Sequence, residues 1–197
     1  MATEVNHDER RQMIVAKALS LFAKMGYAKV SFLTISEATG IARTALYRYF
    51  KTKRDIFDEA IHSVTSVLVD ELKAICGKEL PVSRRIEQSC FVVMESIHSN
   101  KDFFYAICDF VFSMVRMGED MRPRIEMFTG GFRVVLQHLV AEGVQKGELK
   151  SNVDPESAAE ALFALMESFA FRVLLGTEMD VMAARRRFKS TIQALEV

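Results

Sequence analysis

The chain has 197 residues, 50% of them hydrophobic and 26% charged, which supplies a large core and excludes a disordered chain. Only 3 prolines and 9 glycines punctuate it, so helices are favoured over a many-turned β fold. The net charge of zero, taken alone, argues against a nucleic-acid partner. The first predicted helix runs from Asp8 to Met25, with Ile14, Ala18, Leu21, Phe22 and Met25 as its buried stripe and Gly26 as its stop. Ser31 reads as the N-cap of a short helix, Phe32 to Thr39, which Gly40 ends. A second short helix spans Arg43 to Phe50. Thr52 and Asp55 then resemble a capping box that opens a long helix with Phe57, Ile61, Val64, Leu68 and Leu72 along one side. Lys78 to Pro81 is a boundary. Beyond it the periodicity predicts helices over 82–98, 102–117, 123–146, 155–175 and 180–195. Asp154-Pro155 is a start signal and Gly147 a stop. No run alternates as a strand should, so the fold class is all-α.

Three cysteines, Cys76, Cys90 and Cys108, lie in apolar helical stretches with no CxxC spacing, and read as reduced core thiols. The four histidines have no metal-type spacing, and no metal or cofactor is expected. The polar start MATEVNHDERR is unlike a signal peptide, and no apolar run reaches the ~18–20 residues of a membrane span. A cytoplasmic protein without a membrane partner is expected.

The charge is segregated. Residues 26–54 carry a net +5, and residues 61–197 a net −3. A phosphate backbone responds to this local charge, not to the chain average. The basic window coincides with GYAKVSFLTISEATGIARTALYRYFKTKRDIF, residues 26–57: two short helices joined by a glycine-containing turn, which is helix-turn-helix spacing. Ile35 and Ala38 are expected to face inward with Ile41 and Leu46, the small Ala38 allowing a close helix crossing. The second helix would then offer Arg43, Thr44, Tyr47, Arg48 and Tyr49 outward. A major groove admits one such helix; arginine can read guanine, and tyrosine hydroxyls suit phosphate oxygens.

The segment resembles the DNA-binding domain of the TetR family, whose pattern runs roughly G-[YF]-x-x-[TV]-[TS]-V-x-x-I-A-x-x-A-G-V-S-x-G-x-L-Y-x-[YH]-F-x-x-K-x-x-L. Gly26, Tyr27, Ser31, Ile35, Gly40, Leu46, Tyr47, Tyr49, Phe50 and Lys53 stand in register with it. The match covers about residues 9–60; EGVQKGEL at 142–149 also resembles a common helix end of the family. Ala42 departs from the usual capping serine, a loss of ~1 kcal/mol. Thr44 stands for a frequent glycine and Ser36 for a frequent alanine, changes that bear on which operator is read. The resemblance implies a DNA-binding domain over 1–57 and a ligand-binding and dimerisation domain over 58–197. It implies a homodimer paired through the last two helices, operator DNA as partner, and release by a small effector. The implied DNA-binding residues are Ser31, Arg43, Thr44, Ala45, Tyr47, Arg48, Tyr49 and Lys53. Of these, Arg43 and Thr44 are the base readers and Tyr47 and Tyr49 the phosphate contacts. Lys53, in the first turn of the long helix, opposes the helix dipole, so a phosphate explains it better than stability does. Phe50 reads as core; Lys51 and Arg54 read as solvated.

Residues 82–175 are rich in Phe and Met, which make either a plain core or an adaptable apolar pocket. The residues assigned to the effector are Met94, Phe104, Cys108, Asp109, Phe112, Phe128, Phe132, Met166 and Phe169. Glu95 and Glu167 read as lying on the wet sides of their helices. Asp109 is the exception: Phe103, Phe104, Ile107, Phe110, Val111 and Phe112 leave it little wet surface, so it needs a partner, and it is expected to face a cavity and help choose the effector. Arg172, within SFAFRVLL, is a similar oddity. Gly130-Gly131 marks either a kink beside the pocket or a break between two helices. Arg185, Arg186 and Arg187 read as a solvated face. An enzyme is disfavoured, since no glycine-rich phosphate loop, HExxH or GxSxG occurs. A ligand-responsive repressor is the first reading; an activator of the same fold, or a helical ligand-binding protein without DNA binding, are the alternatives.

Overall fold

The computed structural model describes residues 2–177 and 180–197, with side chains described from His7 onward. Its helices are α1 (Ala2–Met25), α2 (Phe32–Thr39), α3 (Arg43–Tyr49), α4 (Lys53–Cys76), α5 (Val82–Ser99), α6 (Lys101–Arg116), α7 (Arg122–Lys146), α8 (Pro155–Leu174) and α9 (Val181–Gln193). Among the described residues there is no strand, only an isolated antiparallel bridge between Leu149 and Glu196. The all-α class and the predicted helix order therefore hold.

The boundaries follow local chemistry. Gly26, Gly40 and Gly147 end α1, α2 and α7 in the left-handed conformation that glycine adopts without a Cβ penalty. The Ser31 hydroxyl accepts the Thr34 N–H at 3.2 Å. The Asp154 carboxylate accepts from Ser157 at 2.8 Å. Thr52 and Asp55 form their reciprocal pair: the Asp55 carboxylate accepts the Thr52 N–H at 2.9 Å, and the Thr52 hydroxyl accepts the Asp55 N–H at 3.1 Å. These bonds, first among them those from Thr52, hold the Asp55 carboxyl below its usual range. α3 starts at Ala42 with no side-chain cap. Gly130 and Gly131 interrupt nothing: α7 is continuous through both, and the Glu126 side chain lies where a Cβ at Gly130 would.

The chain divides into two compact units, Met1–Val67 with Asp102–Asp120, and Leu68–Lys101 with Met121–Val197. This packing division differs from the expected boundary at residue 57, because α6 joins the first unit through aromatic packing. Phe22, Tyr27, Phe57 and Phe110 form one cluster there. Phe57 meets Phe22 edge-on at 5.3 Å, and Phe110 lies 4.6 Å from both Tyr27 and Phe57. The edge-to-face pairs, Phe57 with Phe22 and Phe110 with Tyr27, add to plain area burial. Ile14, Ala18, Phe22, Ile35, Leu46, Ile56 and Phe57 are fully buried around the cluster. Two expectations fail here. Met25, the last residue of α1, is 40% exposed and lies outside the buried stripe. Ala38 faces solvent, so it takes no part in the small core in which Ile35 and Leu46 are fully buried.

In the second unit α5 packs on α7, α8 and α9. Arg85, 5% exposed, is its main buried charge. Its guanidinium pairs with the Glu142 carboxylate and donates to the Cys76 carbonyl at 3.0 Å. Lys146 reaches the same carboxylate at 2.6 Å. The hydrogen bonds from Arg85 and then Lys146 pull the Glu142 carboxyl down to about 2. Cys90 is buried, Cys76 and Cys108 are half-buried, and all three thiols are free. Burial pushes each of them up in pKa, away from the reactive thiolate.

Candidate nucleic-acid interface

The first unit builds its outer face from α2 and α3. Leu46 anchors α3 at 0% exposure, and Ile41 is half-buried beneath the turn. With Leu46 inward, the 3.6-residue period sends Arg43, Thr44, Tyr47 and Arg48 out, and all four are exposed. Ala45 is half-buried between the two sides, and Ser31 is exposed at the start of α2, where its hydroxyl also serves as the cap.

The exposed groups are partly ordered. The Tyr47 ring stacks on Phe32 with centroids 4.6 Å apart and planes 6° from parallel. Arg43 donates to the Tyr47 hydroxyl at 3.3 Å. Tyr49 is half-buried and stacks on His7 at 4.5 Å, while its carbonyl accepts from Arg11 at 3.0 Å. Arg11 also pairs with Glu59 and lies 4.4 Å over the Phe50 ring, so the first helix braces the end of α3. Phe50 is core, at 2% exposure.

Lys53 is not idle without a phosphate. Its ammonium donates to the Tyr27 carbonyl at 2.7 Å and sits 4.2 Å over the Tyr27 ring. The expectation that stability cannot explain this lysine is therefore corrected. Its partial burial lowers its pKa. Arg54 is corrected as well: it lies 5.7 Å over the Phe110 ring and 3.6 Å from Glu119, and is not simply solvated. Lys51 is exposed as expected.

The residues assigned to an effector fall into both units. Phe104, Cys108, Asp109 and Phe112 lie on α6; the first three are half-buried, and Phe112 is 59% exposed. In the second unit Met94, Met166 and Phe169 are core, at 3% exposure or less, and Phe128 and Phe132 are half-buried on α7. Phe169 borders a hollow of about 30 Å³ with Leu165, Arg172 and Phe188, room for no more than a water molecule.

Asp109 is the largest correction. The carboxylate expected to face a cavity in need of a partner has one in its own unit: it accepts the Tyr27 N–H at 2.7 Å. It also fills the space beside Gly26, where a Cβ would approach it to 3.1 Å. The missing signal is tertiary, since Tyr27 is 82 residues away. Glu95 and Glu167 are exposed, as read, and Glu95 pairs with Arg185 at 3.0 Å. Arg185 is thus half-buried against Glu95 and the Phe91 ring, whereas Arg187 and Arg172 face solvent. Sequence reasoning missed Phe32, His7 and Arg11. Phe32 was detectable as an aromatic where the family pattern has valine; for His7 and Arg11, single charged or polar residues on a helix face, no signal exists.

Among the described residues, no group of three or more His, Cys, Asp or Glu side chains is gathered as a metal site would be, and no helix is long and apolar enough to cross a membrane. Residues 14–60 match the family model described as bacterial regulatory proteins, tetR family, and residues 112–188 match a tetracyclin repressor-like C-terminal domain. The chain is 22% identical over 175 residues to the HTH-type transcriptional regulator PksA of Bacillus subtilis strain 168, covering 89% of this chain and 83% of that one. It is 21% identical over 160 residues to the fatty acid metabolism regulator protein of the same organism, covering 78% of each. A TetR transcriptional regulator from Chloroflexus aurantiacus J-10-FL superposes with a TM-score of 0.78 at 21% identity, over 96% of both chains. An exposed, basic recognition helix on a three-helix base, two family models in sequence order and a full-length match of fold agree: the chain belongs to the TetR family, transcriptional regulators with a helix-turn-helix DNA-binding domain and a ligand-binding domain, and it is not an enzyme.

Proposed function

We propose that the protein is a cytoplasmic repressor that binds a near-palindromic operator as a homodimer and releases it when a small, largely apolar effector binds. The observation that carries the reading is the outward presentation of Arg43, Thr44, Tyr47 and Arg48 from a helix whose inner face is locked by Leu46. Arg43 and Thr44 contact base edges. Ser31, Tyr47, Arg48, Tyr49 and Lys53 contact phosphates, and Ala45 lets the helix approach the groove closely. Residues 1–57 are the DNA-binding part and 58–197 the effector and dimerisation part.

Two features support the remainder. α8 carries Ala161, Ala164 and Phe171 outward, opposite its buried stripe of Ala159, Leu162, Phe163, Met166 and Phe169; its C-cap Leu175 is 60% exposed and Met182 of α9 58%. Large apolar side chains left in water on two terminal helices fit an interface with a second copy. The effector contacts are assigned to the Phe, Met and Cys108 positions named above. Their apolar character fits a hydrophobic ligand. Asp109 acts in this scheme by tying α6 to the turn before α2, so that a displacement of α6 is felt at Tyr27.

The experiment is binding of the purified full chain to its own upstream DNA, with footprinting and light scattering. The expected result is a dimer protecting two half-sites about 34 Å apart, one turn of the duplex. A monomer on a single asymmetric site, or no retention on that DNA, refutes the proposal.

A further inference from the structure

The outer face of α3 contains one ordered arrangement that its role as a helix does not require. Tyr47 is 47% exposed, and an exposed tyrosine ordinarily samples several rotamers. Here one face of its ring lies flat on Phe32, the first residue of α2, which is itself 9% exposed. Phe32 cannot shift far, because the cap immediately before it is closed: the Ser31 hydroxyl accepts from the Thr34 N–H, and the Ser31 N–H donates back to the Thr34 hydroxyl. The stack thus carries the rigidity of the α2 N-terminus to a side chain on α3.

The Tyr47 hydroxyl passes that order on. It accepts a hydrogen bond from Nη2 of Arg43, one turn earlier on the same helix, and the Arg43 guanidinium carbon lies 5.9 Å from the Tyr47 ring centroid. A hydroxyl that accepts in this way keeps its own proton to donate outward, and the guanidinium keeps further N–H groups for an outside acceptor. Reading guanine takes two parallel N–H bonds from one guanidinium, so its orientation matters more than its charge. A phosphate contact tolerates a looser side chain.

We propose that Phe32 is a positioning residue for sequence reading: by stacking on Tyr47 it orients the Tyr47 hydroxyl, and through that hydroxyl the guanidinium of Arg43, toward a base edge. Phe32 itself touches no DNA in this scheme. The inference rests on the DNA-binding reading above and adds to it the source of discrimination at one operator position.

The test is selection of duplexes by the full-length protein from a random-sequence pool, followed by affinities for the selected and a scrambled duplex over a salt series. Arg43→Ala marks the base pair that Arg43 reads. Phe32→Leu removes the ring but keeps apolar bulk, Tyr47→Phe keeps the stack but deletes the hydroxyl, and Phe32→Tyr restores a stacking ring. Phe32→Leu and Tyr47→Phe are each expected to lose about tenfold in preference at that base pair, the scale of one bidentate contact. For Phe32→Leu, affinity for the scrambled duplex and its salt slope should hold, and Phe32→Tyr should recover the preference. Thermal melts show whether Phe32→Leu folds; should it not, Tyr47→Phe still tests the hydroxyl link through which Phe32 must act, since it leaves the packing in place. Unchanged preference in Tyr47→Phe, or an equal loss on both duplexes in Phe32→Leu, overturns the proposal while leaving DNA binding intact. A wild-type protein that enriches no duplex overturns the DNA-binding reading, and this inference with it.

Discussion

Replacing Asp109 by alanine tests the link between α6 and the turn that precedes α2. In the native chain the Asp109 carboxylate accepts the Tyr27 N–H at 2.7 Å, and Tyr27 is only 7% exposed. Asp109→Ala leaves that amide without its acceptor in a place water reaches poorly. A hydrogen bond to a charged acceptor contributes about 1.5–3 kcal/mol net, and the half-buried setting of Asp109 puts the loss near the lower end. In a chain of this length a loss of about 1.5–2 kcal/mol lowers Tm by roughly 3–8 °C. Asp109→Asn retains an acceptor oxygen but not the charge, and should lose roughly half as much. Thermal melts give the global effect, and hydrogen exchange gives the local one: protection of the Tyr27 amide should fall about tenfold in Asp109→Ala. Because the same turn leads into α2, operator affinity of the ligand-free protein should fall as well. A variant with Tm within about 1 °C of wild type and unchanged Tyr27 exchange would show that the bond carries no stability.

Three further outcomes are expected. Glu142→Ala strands the nearly buried Arg85 guanidinium and should cost about 2–3 kcal/mol, less than a fully buried pair because Glu142 reaches water. Since the folded-state pKa of Glu142 is depressed to about 2, this contribution is complete above its ordinary range near ~4.3 and is lost as pH falls through about 2, so urea melts of wild type and variant should converge on acidification. Gly143→Ala should destabilise by about 1–2 kcal/mol, because the new methyl would meet Leu149 at 2.7 Å and Val82 at 3.0 Å, both buried. Gly131→Ala in the same helix has open space around it and should stabilise by up to ~1 kcal/mol; equal effects at the two sites in denaturant melts would contradict the packing argument. Lys53→Ala should lower stability by about 1 kcal/mol through the lost bond to the Tyr27 carbonyl. It should also weaken specific and random duplexes alike, reducing the salt slope by about 1; an unchanged slope would leave Lys53 with its structural role only.

Helix order, fold class and the identity of the recognition helix were legible in the residues because each depends on near neighbours. Glycine stops at 26, 40 and 147, the Asp154-Pro155 start and the Thr52–Asp55 pair act within one turn of the chain, and the outward set on α3 follows from helical periodicity once Leu46 is taken as core. What depended on distant partners was not legible. A half-buried carboxylate in an apolar helix reads as unpaired until Tyr27, 82 residues away, is brought to it. Lys53 reads as a cation in need of a phosphate until the Tyr27 carbonyl meets it. The membership of α6 in the first compact unit was likewise decided by Phe110 entering the cluster of Phe22, Tyr27 and Phe57. Sequence patterns specify which face of a helix is apolar, because that is set by a local period; they do not specify which other element covers it, because packing partners are chosen by the fold as a whole.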